Sequence, residues 1–186
     1  MGELLLRPLR VDDEDAALEA DRLLAADDFT FVLGRDEGEA WADYVHRTHG
    51  WPDRVGLPEG HVAGAFLAAE VDGTLVGRAS LRFELNDFLG RWGGHVGYGV
   101  HPAHRRLGYA TAILRAALPL LAERSVEQAL VTCDLDNEGS RRTIERCGGV
   151  PDGIAEPDPD AGGPASTAKL RFWVPTGGPG GLSGPR

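Results

Sequence analysis

Apolar residues change their spacing several times along this chain, and each change marks an element. Glu3 to Leu9 has the apolar content of a short strand, and Asp12, Asp13 and Asp15 then supply acidic residues suited to a helix start. The pattern predicts a helix over about residues 13 to 26. Asp36 to His49 predicts a second, with Trp41, Tyr44 and Val45 at helical spacing. Between His61 and Leu85 the spacing becomes that of strands, interrupted at Asp72 and Gly73, which predicts a hairpin. A glycine-rich stretch, Gly90 to Gly94, precedes a fourth strand at His95 to Val100. An apolar helix follows over Ala110 to Glu123, with Pro119 inside it. Then come a strand at Ala129 to Cys133, a helix over about Glu138 to Cys147, and a last strand at Ala168 to Val174. Residues 151 to 165, rich in Pro and Gly, read as a connection, and the segment from Thr176 to Arg186 as a mobile tail.

At 186 residues, with 42% hydrophobic and 26% charged residues, the chain has the size and composition of one globular domain, expected over residues 1 to 175. No run approaches the roughly 18 apolar residues of a membrane span, and the Leu triplet near the start is too short for a signal peptide, so a cytoplasmic protein is expected. Cys133 and Cys147 alone make neither a disulfide scaffold nor a four-ligand zinc site; they read as small buried hydrophobes. The net charge of -10 argues against broad contact with nucleic acid and is compatible with attraction of a cationic amine.

Residues 96 to 118, VGYGVHPAHRRLGYATAILRAAL, carry the chemistry. A strand ends, a short basic turn contains Gly108, and a helix begins at once. The first turn of a helix has unpaired amide donors and a partial positive charge, and glycine lets an anion approach the backbone. Arg105 and Arg106 add two charges beside it. The same pattern also suits an ordinary strand-to-helix loop with solvated arginines.

Arg105-Arg106-Leu107-Gly108-Tyr109-Ala110 resembles the (Gln/Arg)-x-x-Gly-x-(Gly/Ala) pyrophosphate loop of the GNAT family of N-acetyltransferases. Val100-His101-Pro102 resembles the end of the family's fourth strand, and Asp136-Asn137-Glu138-Gly139-Ser140 its Asn-x-x-(Ala/Ser) element after the fifth. Leu81-Arg82, Leu85-Asn86 and Gly93 to Tyr98 are similar to a branch of predicted bacterial acetyltransferases.

The resemblance implies an α/β fold: a mixed sheet of about seven strands, helices on both faces, and fourth and fifth strands that are parallel but splay apart. It implies acetyl-CoA as cosubstrate, without a metal, and transfer of its acetyl group to an amine by direct attack in a ternary complex. Carried over by position, amides of Leu107, Gly108, Tyr109, Ala110 and Thr111 would hold the pyrophosphate beside Arg105 and Arg106. Main-chain groups of Tyr98 and Val100 would pair with the pantetheine arm, which Asn137 and Ser140 would meet from the other side. The Tyr98 amide would polarise the thioester carbonyl. Asn137 also suits a helix N-cap.

Two of the family's usual groups are absent. The position of the Tyr that protonates the leaving sulfur holds Ile144, and the position of a catalytic Glu holds Gly94. Glu84, His95 and the Tyr98 hydroxyl are the remaining acid and base candidates, although strand alternation sets His95 on the face opposite Tyr98. Arg82 and Asn86 are candidates for orienting the substrate, a small-molecule amine or a peptide. Trp41, Tyr44, Trp51 and Trp92 are candidates for a pocket wall or for core, and the acidic Glu156, Asp158 and Asp160 for greeting a cation or solvating a loop. No His spacing suggests a metal. A homodimer is left open, and an acyl-CoA sensor without catalysis is the alternative function.

Overall fold

In the computed structural model, which describes residues 2–158 and 160–177, the hairpin forms around Asp72 and Gly73. Both have positive φ, 50° and 78°, the backbone handedness that a two-residue hairpin turn requires. This hairpin joins β2 (Gly64–Val71) to β3 (Thr74–Arg82). With β1 (Leu4–Pro8) and β4 (Val96–Val100) it makes a four-stranded antiparallel sheet in the order β1-β2-β3-β4. A second antiparallel sheet has the order β5-β7-β6, from β5 (Gln128–Asp134), β6 (Val150–Ala155) and β7 (Lys169–Pro175).

Helices cover both faces, and the alternation of β2 divides the core between them. Leu67, Ala69 and Val71 pack with Ile113, Leu114, Ala117, Leu118 and Leu121 of α3 (Tyr109–Ala122) and with Ile144 of α4 (Glu138–Arg146). Phe66 and Ala68 point the other way, to α1 (Glu14–Leu24) and α2 (Trp41–His49). A strand buried on both sides needs the near-continuous apolar run that Phe66 to Ala69 supplies. Trp41, Tyr44 and Trp51 are buried around Phe66, and Trp92 is buried against Ala155 and Ala165 with its indole N–H donated to the Glu156 carbonyl at 2.8 Å. All four are core, not the walls of a pocket.

Several boundaries differ from the sequence expectation for local reasons. α2 begins at Trp41 rather than Asp36, because Gly38 takes φ 78° and breaks the run. Asp13 is buried beneath Arg7, which reaches both its carboxylate oxygens at 2.7 Å, instead of decorating an exposed helix start. Residues 151–155, read as part of a connection, belong to β6 (Val150–Ala155). It is an edge strand with a register shift between Pro151 and Ile154, where Gly153 has φ 84°, and such a position tolerates a proline. At the end of β7 the Thr176 hydroxyl donates to the carbonyls of Val126 and Glu127, so the first residue of the expected tail is tied to the domain. Residues 178–186 lie outside the described residues. Among the described residues no helix is long and apolar enough to cross a membrane.

Ile113 has no exposed surface and joins α3 to the sheet beneath β3 and β4. Ile113→Ala is expected to lower the unfolding free energy by roughly 2–5 kcal/mol, read from the urea midpoint at unchanged slope.

Candidate active site

The two sheets are joined at the start of β4, where the Thr132 hydroxyl of β5 donates to the Trp92 carbonyl at 2.7 Å and His95 pairs with Leu130. His95 donates its amide to the Leu130 carbonyl at 2.7 Å, and its ring Nδ1 accepts the Leu130 amide at 2.9 Å. Among the described residues no further ladder joins β4 to β5, so the strands separate beyond this joint. Gly94 makes the turn into it: φ 64° and ψ -176° is a conformation reserved for glycine, and a Cβ there would lie 2.5 Å from the Leu130 carbonyl oxygen. The position at which some relatives carry Glu therefore admits no side chain here.

Register decides what β4 offers to the gap. The bonds from Arg82 N to His95 O and from His101 N to Val76 O, each 2.9 Å, fix which residues exchange bonds with β3. By this parity Gly97 and Gly99 face β3, while the N–H and C=O groups of Tyr98 and Val100 face away from it, toward the opening. Their side chains alternate independently: Val96 and Tyr98 pack toward α3 and α4, and Gly97 and Gly99 lie on the opposite face.

At the far end of β4 the chain turns through Pro102–His104 and enters α3. Arg106 and Gly108 both have positive φ, 65° and 85°, and Gly108 is the N-cap of α3 without a capping side chain. Among the described residues the amides of Arg106, Leu107, Gly108, Tyr109, Ala110 and Thr111 meet no acceptor. Space above Gly108 is open: a Cβ would meet nothing within 4 Å. Arg106 is exposed, whereas the Arg105 guanidinium pairs with Asp27, in the turn that follows α1, at 2.5 Å. One of the two expected charges is thus already engaged.

Across the gap, Asn137 caps α4 by accepting the Ser140 amide at 2.9 Å, and the Ser140 hydroxyl shares a 2.8 Å hydrogen bond with the Tyr98 phenol. Burial, with Cys133 and Cys147 nearby, pushes the phenol well above its ordinary pKa, so it stays protonated at neutral pH. Ile144, in the place of the family's Tyr, is wholly buried.

The other acid and base candidates are elsewhere engaged. Glu84 is exposed and ion-paired with Arg54. His95 is pushed down to about 4, mainly by burial and further by the Arg82 charge. Its Nδ1 lone pair is committed to Leu130, which leaves it unsuited to take a proton from an ammonium. Asn86 accepts the Leu89 amide at 2.9 Å and donates to the Gly60 carbonyl at 3.3 Å, a loop-holding arrangement at the surface. Arg82 is half-buried against β4. Among the described residues no group of three His, Cys, Asp or Glu side chains is placed to hold a metal ion.

An acetyltransferase (GNAT) family profile matches residues 22–149, most of the chain and all of this site. The chain belongs to the GNAT family. Solved structures repeat the fold of this GNAT protein. The microcin C7 self-immunity acetyltransferase MccE, in complex with acetyl-CoA and AMP, has 14% identity and a TM-score of 0.65, over 93% of this chain and 92% of that one. Mycobacterium smegmatis RimJ, in complex with CoA-disulfide, has 20% identity and a TM-score of 0.64, over 92% and 81%. yncA from Salmonella typhimurium, solved with acetyl-CoA, has 13% identity and a TM-score of 0.61, over 98% of each chain. At these identities the likeness concerns the fold. No curated protein matches the sequence.

The joint at His95 makes a pH prediction. Its folded pKa of about 4 lies below the ordinary 6.5, so on acidification the unfolded chain takes up the proton first. The stability present above pH 6.5 is lost progressively down to about pH 4, by roughly 2–3 kcal/mol. Urea unfolding of the wild type and His95→Gln at pH 7 and pH 4.5 checks this: the drop between the two pH values is expected to be smaller in the variant.

Proposed function

We propose that this GNAT protein is an acetyl-CoA-dependent N-acetyltransferase that acetylates a primary amine of a small molecule or peptide by direct attack. The observation that carries the reading is the row of unpaired amides from Arg106 to Thr111 at the head of α3, beside the opening between β4 and β5. Six N–H groups without acceptors, at the positive end of a helix and next to the exposed Arg106, suit a diphosphate. The outward-facing main-chain groups of Tyr98 and Val100 suit an extended amide-containing arm laid along β4 as an added strand. Relatives of this fold solved with acetyl-CoA or a CoA derivative support that fit.

Acetyl-CoA supplies the acetyl group as a thioester. The Tyr98 amide then lies where a fixed donor stabilises negative charge developing on the carbonyl oxygen. The Tyr98 phenol, held protonated by burial and oriented by Ser140, can donate to the departing sulfur from β4 in place of the missing tyrosine on α4. With Gly94 bare, Glu84 paired at the surface and His95 committed to Leu130, the amine's proton leaves through solvent, and the acceptor reacts as its free base.

A sensor that binds acyl-CoA without turning it over is the second reading, favoured by Ile144 and Gly94 standing where catalytic groups stand in relatives. Amine-stimulated release of CoA from acetyl-CoA separates the two.

Calorimetry is expected to show acetyl-CoA binding to the wild type, weakened by about tenfold or more in Gly108→Val, whose branched side chain strains a φ of 85° and intrudes on the anion. A wild type that binds no acetyl-CoA sinks the reading. Tyr98→Phe is expected to keep acetyl-CoA affinity while lowering kcat by about 10²-fold, the range for loss of a positioned acid. An unchanged kcat removes the phenol from the chemistry.

A further inference from the structure

Arg78 and Arg82 stand on β3, and among the described residues neither forms an ion pair with a carboxylate. With Ser80 between them they alternate onto one face of the strand, opposite Gly99 and Gly97 of β4 and His95 just before it. This is the face away from α3, so it lies across β4 from the proposed acetyl-CoA side. Arg78 is 4% exposed. Its guanidinium sits 4.2 Å from the Phe29 ring centroid and 5.3 Å from that of Phe66. It donates to the Thr30 carbonyl at 2.5 Å, to the Ser80 hydroxyl at 3.2 Å and weakly to the Gly97 carbonyl at 3.5 Å, and its Nε meets no partner among the described residues. Arg82 has one acceptor among the described residues, the Gly93 carbonyl at 3.4 Å, longer than an ordinary hydrogen bond.

The two cations converge on one residue. A Cβ added to Gly97 would lie 3.3 Å from Nη1 of Arg82, and Nη1 of Arg78 reaches the carbonyl of the same residue. Glycine at position 97 is what lets the Arg82 fork lie against the β4 backbone, one residue from the Tyr98 amide. Burial lowers the pKa of Arg78 to about 9 and of Arg82 to about 10, so both remain cationic at neutral pH, while His95 beside Arg82 is held neutral.

Two other enclosed arginines of this protein are neutralised by carboxylates. Arg7 is bound by Asp13 and Glu70, and Arg47 by Glu39, with N to O distances of 2.6 to 2.7 Å. Among the described residues no carboxylate forms an ion pair with Arg78 or Arg82; Asp21, which accepts the Phe31 and Val32 amides, acts on Arg78 only at longer range. Two like charges brought together out of water oppose folding unless a counter-charge joins them. A planar guanidinium with open donors is the side chain best matched to a carboxylate or phosphate.

Resting on the acetyltransfer reading, we propose that Arg82, backed by Arg78, binds an anionic group of the acceptor, so that the substrates are amines carrying a carboxylate or a phosphate rather than neutral amines or polyamines. Arg78 is held by Phe29, Thr30 and Ser80 and supplies charge from behind. Arg82, half-buried and with donors to spare, makes the contact and sets the amine beside Tyr98.

Matched pairs test this on the full-length protein saturated with CoA: glycine against glycinamide, and O-phosphoethanolamine against ethanolamine, by calorimetry. At least one anionic member is expected to bind about tenfold or more tightly than its neutral partner, and which pair shows it distinguishes carboxylate from phosphate. Arg82→Gln is expected to abolish the difference, and Arg82→Lys to retain part of it as charge without the fork. Acetyl-CoA affinity is expected to stay unchanged in both variants, which also verifies folding. The proposal is overturned if neither pair shows a preference in the wild type, or if the preference survives Arg82→Gln, while acetyl-CoA still binds. Absence of acetyl-CoA binding to the wild type brings down the acetyltransfer reading itself, and this proposal with it.

Discussion

A pair of hydrogen bonds between His95 and Leu130, with the Thr132 hydroxyl donating to the Trp92 carbonyl beside it, holds the two sheets together at the site, and what β4 presents beyond it depends on the pairing ending there. Had β5 continued to pair with β4, the N–H and C=O groups of Tyr98 and Val100 would be spent within the protein. The imidazole makes the end of pairing possible because it supplies, from a side chain, the acceptor that the Leu130 amide would otherwise require from a neighbouring strand. It can do so only while neutral, since a proton on Nδ1 would set one N–H against another. Burial holds it neutral. The same local geometry forces glycine at position 94, so the joint and a carboxylate at that position exclude one another on this backbone.

The alternation of β3 and β4 then assigns separate work to the two faces. Toward α3 and α4 the strands present Ala79, Leu81, Val96 and Tyr98, which anchor the helix whose first turn carries the free amides. Toward α1 and its following loop they present Arg78, Ser80, Arg82 and two glycines. The edge between them is the β4 main chain. An acyl donor along one side and an acceptor on the other would meet at Tyr98 without competing for space. Arg105 links these halves, because it leaves the turn before α3 to pair with Asp27 in the turn that follows α1.

Most of this framework was legible in the sequence because it is written in local signals. Asp72-Gly73 dictates its own turn, Arg105 to Ala110 shows the motif directly, and the apolar spacing of α3 is continuous across Pro119, which the helix carries on its exposed side. β6 was not legible, since Pro151 and Gly153 argue against a strand and only its edge position and bulge allow one. Asp13 and Glu84 carry no sign in sequence of the arginines that meet them, because Arg7 and Arg54 arrive through tertiary packing. His95 looked like a base for the same reason: its partner Leu130 is 35 residues away. Arg82 was visible as a substrate candidate, but its convergence with Arg78 over Gly97 depends on the register of β3 against β4, which no spacing along one strand reveals.

Net charge is a poor guide to what such a site binds. The formal charge of -10 suggests attraction of cations, yet it is spread over surface carboxylates whose influence falls off over about 8–10 Å at ordinary ionic strength. A ligand that enters the cleft leaves most of that field behind. On the proposed reading it meets Arg82 there, with the buried Arg78 behind it, in a low-dielectric setting where a charge is screened less and acts more strongly at contact distance. The distant acidic surface would then slow the approach of an anionic amine without preventing its binding, because encounter rate responds to the long-range field whereas residence responds to desolvated contacts. If Arg82 holds the acceptor as proposed, the local arrangement of the two guanidinium groups outweighs the sign of the whole molecule in deciding it.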